Sequence, residues 1–307
     1  MKPKYEEKTY ENYFNTELSQ RSSVYFPFGQ IQEGSIGADS SAYSENQALW
    51  SYLGYPQELG EMLGGVELPE IAHHMNEKLK TEINNIPRIK ANLFFQYKRP
   101  EVIKTSKGSE WHHWKQKYYR YNIYKEQQEI LEEIAKVFGD RALVIYASPA
   151  IETVDDLVAA MINREIIETT NFRPAIDLSK HHRNTYIKSG THSIACSEPE
   201  QLENFNLLTQ IQMLHANRQQ SKADDVVRLS RDIQKIVKKT DIGNAFHKKM
   251  ETYRERYSKT PTLFALISMG VFRELSGIQW TMVTENRNPS PKRFLLRKRP
   301  NSTEPNF

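Results

Sequence analysis

The chain has 307 residues, 38% hydrophobic and 26% charged, with a net charge of +4 and a pI of about 8.8. These values exclude a disordered polymer and leave room for one large domain or two modest ones. Cys196 is the only cysteine, so an internal disulfide framework and a cysteine-based zinc cluster are excluded, and a reducing, cytoplasmic setting is expected. No apolar run approaches the roughly 18 residues of a membrane span. Charges in MKPKYEEKTYENYF occupy the place of a signal peptide's apolar core, which argues against secretion.

Residues Glu6 to Gln20 predict an amphipathic helix, because Tyr10, Phe14 and Leu18 recur at four-residue spacing with Tyr13 beside them. Glu17 falls on the same side, three after Phe14, as an inward-leaning acid or, more commonly for such a position, a carboxylate at the rim. SVYFPF at 23–28 is short, aromatic and β-prone. EGSIGADSSAY at 33–43 follows as an extended segment whose glycines admit a close neighbour. Residues 45–90 are rich in Gly and Pro and are expected to form a helix-and-loop insertion.

NLFFQYK at 92–98 predicts a buried strand that ends before Pro100. Trp111, Trp114, Tyr118, Tyr121, Ile130, Ile134 and Phe138 together predict one long helix, stopped at Gly139-Asp140. ALVIYA at 142–147 is a continuous apolar run, as in a strand covered on both faces. Thr153 followed by Asp156 resembles a capping box for a further helix. The strand–helix–strand order implies parallel pairing of the last two strands with a right-handed crossover.

Beyond Asn171 the pattern changes. Residues 171–195 are expected to be irregular or extended. Ser197-Glu198-Pro199-Glu200 has the look of a helix start, with helices expected over 198–218, 222–239 and 243–257. Thr260-Pro261 opens another, expected to run to near Val283. The segment PSPKRFLLRKRP, from Pro289 to Pro300, carries five basic residues and no acid, a solvated or phosphate-contacting tail.

Gln96 and Lys98 stand two apart on a strand and so share one face. Asp39, after two glycines, sits on an earlier extended segment. An Asp, a second oxygen donor and a Lys on adjoining strands suit phosphodiester hydrolysis. A hard cation takes carboxylate, water and phosphate oxygens, and a nearby Lys stabilises the anionic transition state.

GAD at 37–39, FFQYK at 94–98 and the helix before ALVIYA resemble the PD-(D/E)xK nucleases, whose core runs helix, three strands, helix, strand. The resemblance spans Tyr5 to Thr170. It implies an α/β fold with a restriction-endonuclease-like mixed sheet flanked by helices. It also implies Asp39 as metal-binding acid, Gln96 in place of the second acid and Lys98 as catalytic lysine. Gln in that position is similar to a subset of restriction enzymes acting on modified DNA. Glu33 is the expected additional acid and metal ligand, with Glu17 as the alternative. Asp39 and Gln96 are 57 residues apart, so the insertion must leave the sheet and return.

The organisation expected is a nuclease core over 1–170 with the insertion at 45–90, a mostly helical C-terminal subdomain over 171–285, and a basic tail over 286–307. The function expected is a Mg²⁺- or Mn²⁺-dependent endonuclease acting on DNA, with RNA left open, in bacterial restriction or anti-phage defence. The alternatives are a catalytically inactive nucleic-acid-binding module of the same fold, suggested by the neutral Gln96 and the basic tail, and a protein-interaction scaffold. Trp280, Met269, Val271 and Phe272 are expected to offer apolar surface for self-association or a partner protein. Arg120 and Gln127, on the helix expected after Lys98, could face a phosphate or stand in solvent, the commoner place for such residues. Trp111, Trp114 and Tyr118 suit either base stacking or core packing. The His pairs at 73–74, 112–113 and 181–182 do not suit a shared metal, because adjacent helical side chains diverge by about 100°.

Overall fold

Helix α1, Glu7–Arg21, forms where its apolar spacing places it, and Tyr10, Phe14, Glu17 and Leu18 are all buried. The computed structural model describes residues 2–25, 68–188, 193–196, 199–202, 205–214 and 222–285. In chain order after α1 come β1 (Val24–Tyr25), α2 (Leu68–Asn85), β2 (Ile89–Tyr97), β3 (Glu101–Ile103), α3 (Trp111–Trp114), β4 (Tyr118–Asn122) and α4 (Lys125–Phe138). Then follow β5 (Ala142–Pro149), α5 (Val154–Asn163), β6 (Thr170–Pro174), β7 (Arg183–Tyr186), β8 (Ser193–Cys196) and β9 (Glu200–Leu202). The last elements are α6 (Leu207–Met213), α7 (Lys222–Val237), α8 (Gly243–Tyr257), α9 (Pro261–Ser276) and β10 (Ile278–Thr284).

The protein is α/β. The main sheet has the order β1-β10-β2-β5-β6. It is mixed: β2 and β5 pair in parallel, as the strand–helix–strand order predicts, and the other pairs are antiparallel. A second sheet, β3-β4-β7-β8-β9, is antiparallel throughout.

The two-residue period of β2 divides the core. Leu93, Phe95 and Tyr97 turn to one face, where they meet Tyr10, Phe14 and Leu18 of α1, Leu157 of α5 and Leu207 of α6. Phe14 makes an edge contact with Phe95 at 5.4 Å and Tyr10 one with Tyr97 at 5.9 Å. Phe94 turns to the opposite face, which is covered by α2, α4, α7, α9 and tyrosines of the second sheet. With both faces covered, β2 and β5 read as uninterrupted apolar runs.

Several expected elements differ. The long helix over Trp111–Phe138 is two helices separated by a strand. Lys115 adopts a left-handed conformation that closes α3, and YYRYN forms β4 with Tyr118, Tyr119 and Tyr121 buried. Aromatic density favoured the pleated surface over a spacing that also matches 3.6. Ser197 and Glu198, where a helix is expected to open, lie outside the described residues. Glu200–Leu202 is a strand, and α6 begins at Asn206, whose side chain accepts the Thr209 N–H at 3.0 Å.

The helix from Pro261 stops at Gly277 and does not reach Val283. Gly277 has φ 71°, and IQWTMVT continues as a fully buried strand between β1 and β2. A short apolar run buried on both faces carries no period that separates strand from helix. Residues 171–285 supply strands to both sheets. Trp280, Met269, Val271 and Phe272 are buried core residues and form no exposed docking surface. Among the described residues no helix is long and apolar enough to cross a membrane.

Candidate functional site

Gln96 and Lys98 sit where β2 leaves the main sheet. Gln96 stands beside Tyr146 in the parallel register and beside Ile278 in the antiparallel one. Lys98 lies just past the strand. Its N–H donates to Ala147 O at 3.0 Å, and its carbonyl accepts Ser148 Oγ–H at 2.9 Å. These bonds fix the backbone that aims both side chains.

Lys98 is 7% exposed. Its Nζ donates to Gln127 Oε1 at 2.6 Å and stands 4.8 Å from the Tyr124 ring centre and 5.8 Å from that of Tyr146. Gln127 Nε2 donates in turn to Ser276 O at 2.9 Å, so α4 is tied to the end of α9 at this point. Burial lowers the Lys98 amine to about 8, against the opposing pull of the Glu7 carboxylate. Gln96 Nε2 donates to Tyr97 O at 3.0 Å. Its buried Oε1 accepts no hydrogen bond among the described residues. A Cβ built on Gly277 would lie 3.7 Å from Gln127 Nε2 and 3.9 Å from both amide atoms of Gln96. Gly277 thus marks the point where the two amides converge.

Two acids of α1 approach the same strand end. Glu7 Oε2 accepts the Arg99 N–H at 2.9 Å. Burial raises the Glu7 carboxyl; the Arg99 N–H and Lys98 pull it down, and Glu11 pushes it up. Glu11, one turn on and buried, accepts from Lys8 at 3.0 Å and pairs with Arg273 of α9. Arg99 Nη1 donates to Tyr5 O at 3.1 Å and to Glu6 at 3.2 Å. Sequence reasoning missed Glu7 and Glu11. Their spacing with Phe14 and Leu18 (7, 11, 14, 18) is the signal that pointed to them.

Glu17, the acid singled out on α1, serves elsewhere. Its carboxylate accepts Ile166 N–H at 2.7 Å and Ile167 N–H at 3.4 Å and pairs with Arg21 at 2.7 Å. Ten residues separate it from Glu7, about 15 Å along the helix. Asp39 and Glu33 lie outside the described residues. Arg120 lies on β4, not on a helix, and pairs with Glu101 at 2.9 Å and Glu110 at 3.4 Å. Trp114 and Tyr118 are packed in the interior, with Trp114 Nε1 donating to Thr185 at 3.1 Å. Cys196 is buried and its thiol is pushed up by burial, which suits an inert thiol.

The described oxygens near Lys98 are hard donors of the kind Mg²⁺ takes: the Glu7 carboxylate and the unbonded Gln96 Oε1. Among the described residues no three His, Cys, Asp or Glu side chains converge to hold a metal ion. A buried lysine with a lowered pKa beside such donors can orient water and balance negative charge.

The chain matches no family model, no curated protein and no solved structure.

Proposed function

We propose that this α/β protein is a metal-dependent endonuclease that hydrolyses phosphodiester bonds in DNA, on a restriction-endonuclease-like core of α1, β2, α4 and β5. The observation that carries this reading is the burial of Lys98 at the end of β2, with its Nζ bonded to Gln127 and its amine lowered to about 8. A buried ammonium costs stability, and a site that retains one has a use for it.

In this reading Asp39, Gln96 Oε1 and Glu33 hold Mg²⁺ or Mn²⁺. The metal, when bound, lowers the pKa of water and neutralises phosphate charge. Lys98 Nζ orients the attacking water and stabilises the charge that develops on the phosphate oxygens. Gln127 holds Nζ in place through its 2.6 Å bond. Glu7, bonded to the Arg99 N–H, holds the backbone after Lys98 and keeps a negative charge near the amine.

The test is incubation of the purified protein with supercoiled and linear DNA in Mg²⁺, Mn²⁺ or EDTA. The reading requires cleavage with either metal and none in EDTA. A second reading, a binding module without activity, draws on the neutral amide at Gln96. It requires no cleavage by the parent under any metal and a gain of cleavage in Gln96→Glu.

A further inference from the structure

Helices α7 and α8 enclose an open groove of about 640 Å³ on the side of the molecule formed by the C-terminal helices. Its lining includes Arg231, Lys235 and Lys238 on one wall and His247 and Arg254 on the other, with no Asp or Glu. All five basic side chains are exposed. Arg231, Lys235 and Lys238 stand at i, i+4 and i+7, one face of α7. His247 and Arg254 are seven apart on α8. The α7 wall therefore carries cations over about 10 Å, and the α8 wall carries Arg254 with His247 two turns before it.

Two acids temper this field: Asp232 pairs with Lys235 at 3.0 Å and Glu251 with His247 at 3.1 Å. Arg231, Lys238 and Arg254 have no ion-pair or side-chain hydrogen-bond partner among the described residues. Folding gains nothing from clustering three unpaired cations around one groove, since like charges repel.

We infer that this groove is a docking surface for the phosphate backbone of a nucleic-acid duplex, separate from the Lys98 site. About 10 Å of duplex axis holds about three phosphates of one strand, which matches the three cations spread along the α7 wall better than a single inorganic phosphate does. The apolar residues beneath, Phe246 and Met250, are buried. They offer no ring face for base stacking, the usual grip on single strands. The contact is therefore to backbone and independent of sequence. The choice of nucleic acid over other polyanions rests on the proposed nuclease activity; the charged groove itself does not.

The experiment is fluorescence anisotropy of a labelled 20-base-pair duplex, about two helical turns, titrated with the full chain in EDTA between about 50 and 200 mM KCl. The parent should bind with a linear log–log salt dependence. Arg231→Gln with Lys238→Gln should weaken binding at least about tenfold at the lowest salt and reduce the slope by about two. Lys125→Gln with Lys136→Gln, exposed cations of α4, should bind as the parent does. If the first pair fails to fold by circular dichroism, Arg254→Gln reads the slope from the other wall, reduced by about one.

Equal binding by parent and groove variants overturns the inference. So does absence of duplex binding, or tighter binding of anionic vesicles or poly-glutamate than of the duplex. Omitting metal keeps the two readings apart. A protein that binds through the groove but cuts nothing overturns the nuclease and leaves the groove standing. A protein that cuts, yet binds equally with and without the groove cations, does the reverse.

Discussion

Replacing Lys98 with Met should make the protein more stable while removing its activity. Lys98 is buried, and its amine lies at about 8 instead of 10.5. Its folded-state pKa is therefore below its unfolded one. Between those values the unfolded chain holds a proton that the folded chain has released, so stability rises with pH across that window. Below it both states are protonated and the folded protein carries the full cost of a buried charge. A shift of that size corresponds to about 3 kcal/mol. Loss of the 2.6 Å bond to Gln127 leaves that amide oxygen without its donor, at a cost of about 1 kcal/mol.

The balance makes Lys98→Met about 2 kcal/mol more stable at pH 7. By pH 9.5 the parent should have regained about 2 kcal/mol, so the gap closes. Urea denaturation of both proteins at several pH values measures this directly. A Lys98→Met protein less stable than the parent at pH 7, or a gap constant from pH 7 to 9.5, would refute the reasoning.

Glu17→Ala should destabilise by about 2–4 kcal/mol in urea, because the Ile166 and Ile167 N–H groups lose their acceptor; a metal ligand's removal would leave stability unchanged or raised. Gly277→Ala should cost about 1–2 kcal/mol, since φ 71° strains an L-residue, while its Cβ meets Gln96 and Gln127 only at ordinary contact distance; wild-type melting would contradict this. Glu110 is held at about 2: burial pushes it up, and bonds from Ser109, Arg183 and Tyr118 more than offset that. Its folded pKa is depressed, so its stabilisation is present above the ordinary carboxylate range and lost as pH falls toward 2. Glu110→Gln should flatten that acid limb in a denaturation series. Gln96→Glu should retain cleavage and reach half-maximal rate at a lower Mg²⁺ concentration, read from a metal titration.

Local signals with a backbone cause were legible in the sequence. Thr153 caps α5 by accepting the Asp156 N–H at 3.0 Å, Gly139 ends α4, and the apolar runs at β2 and β5 pair in parallel. The shared parity of Gln96 and Lys98 placed both at one strand end. What stayed hidden depends on tertiary partners. Trp111 to Tyr121 fit a helical spacing, yet the tyrosines of β4 pack against Tyr186 and Tyr146 from other strands. IQWTMVT has no period because both its faces are covered. Gln127 meets Lys98 only because α4 folds back over the end of β2. Glu7 and Glu11 were overlooked for Glu17, which lies on the same helix but is used to hold the turn before β6.

The central claim is that Lys98 acts in metal-dependent phosphodiester cleavage. The most direct measurement compares parent and Lys98→Ala in a cleavage time course on DNA in Mg²⁺, with duplex binding measured in parallel in EDTA. Lys98→Ala should lose at least about a hundredfold in turnover, within the range of a lost transition-state contact, with binding unchanged. Equal cleavage by the two proteins would contradict it.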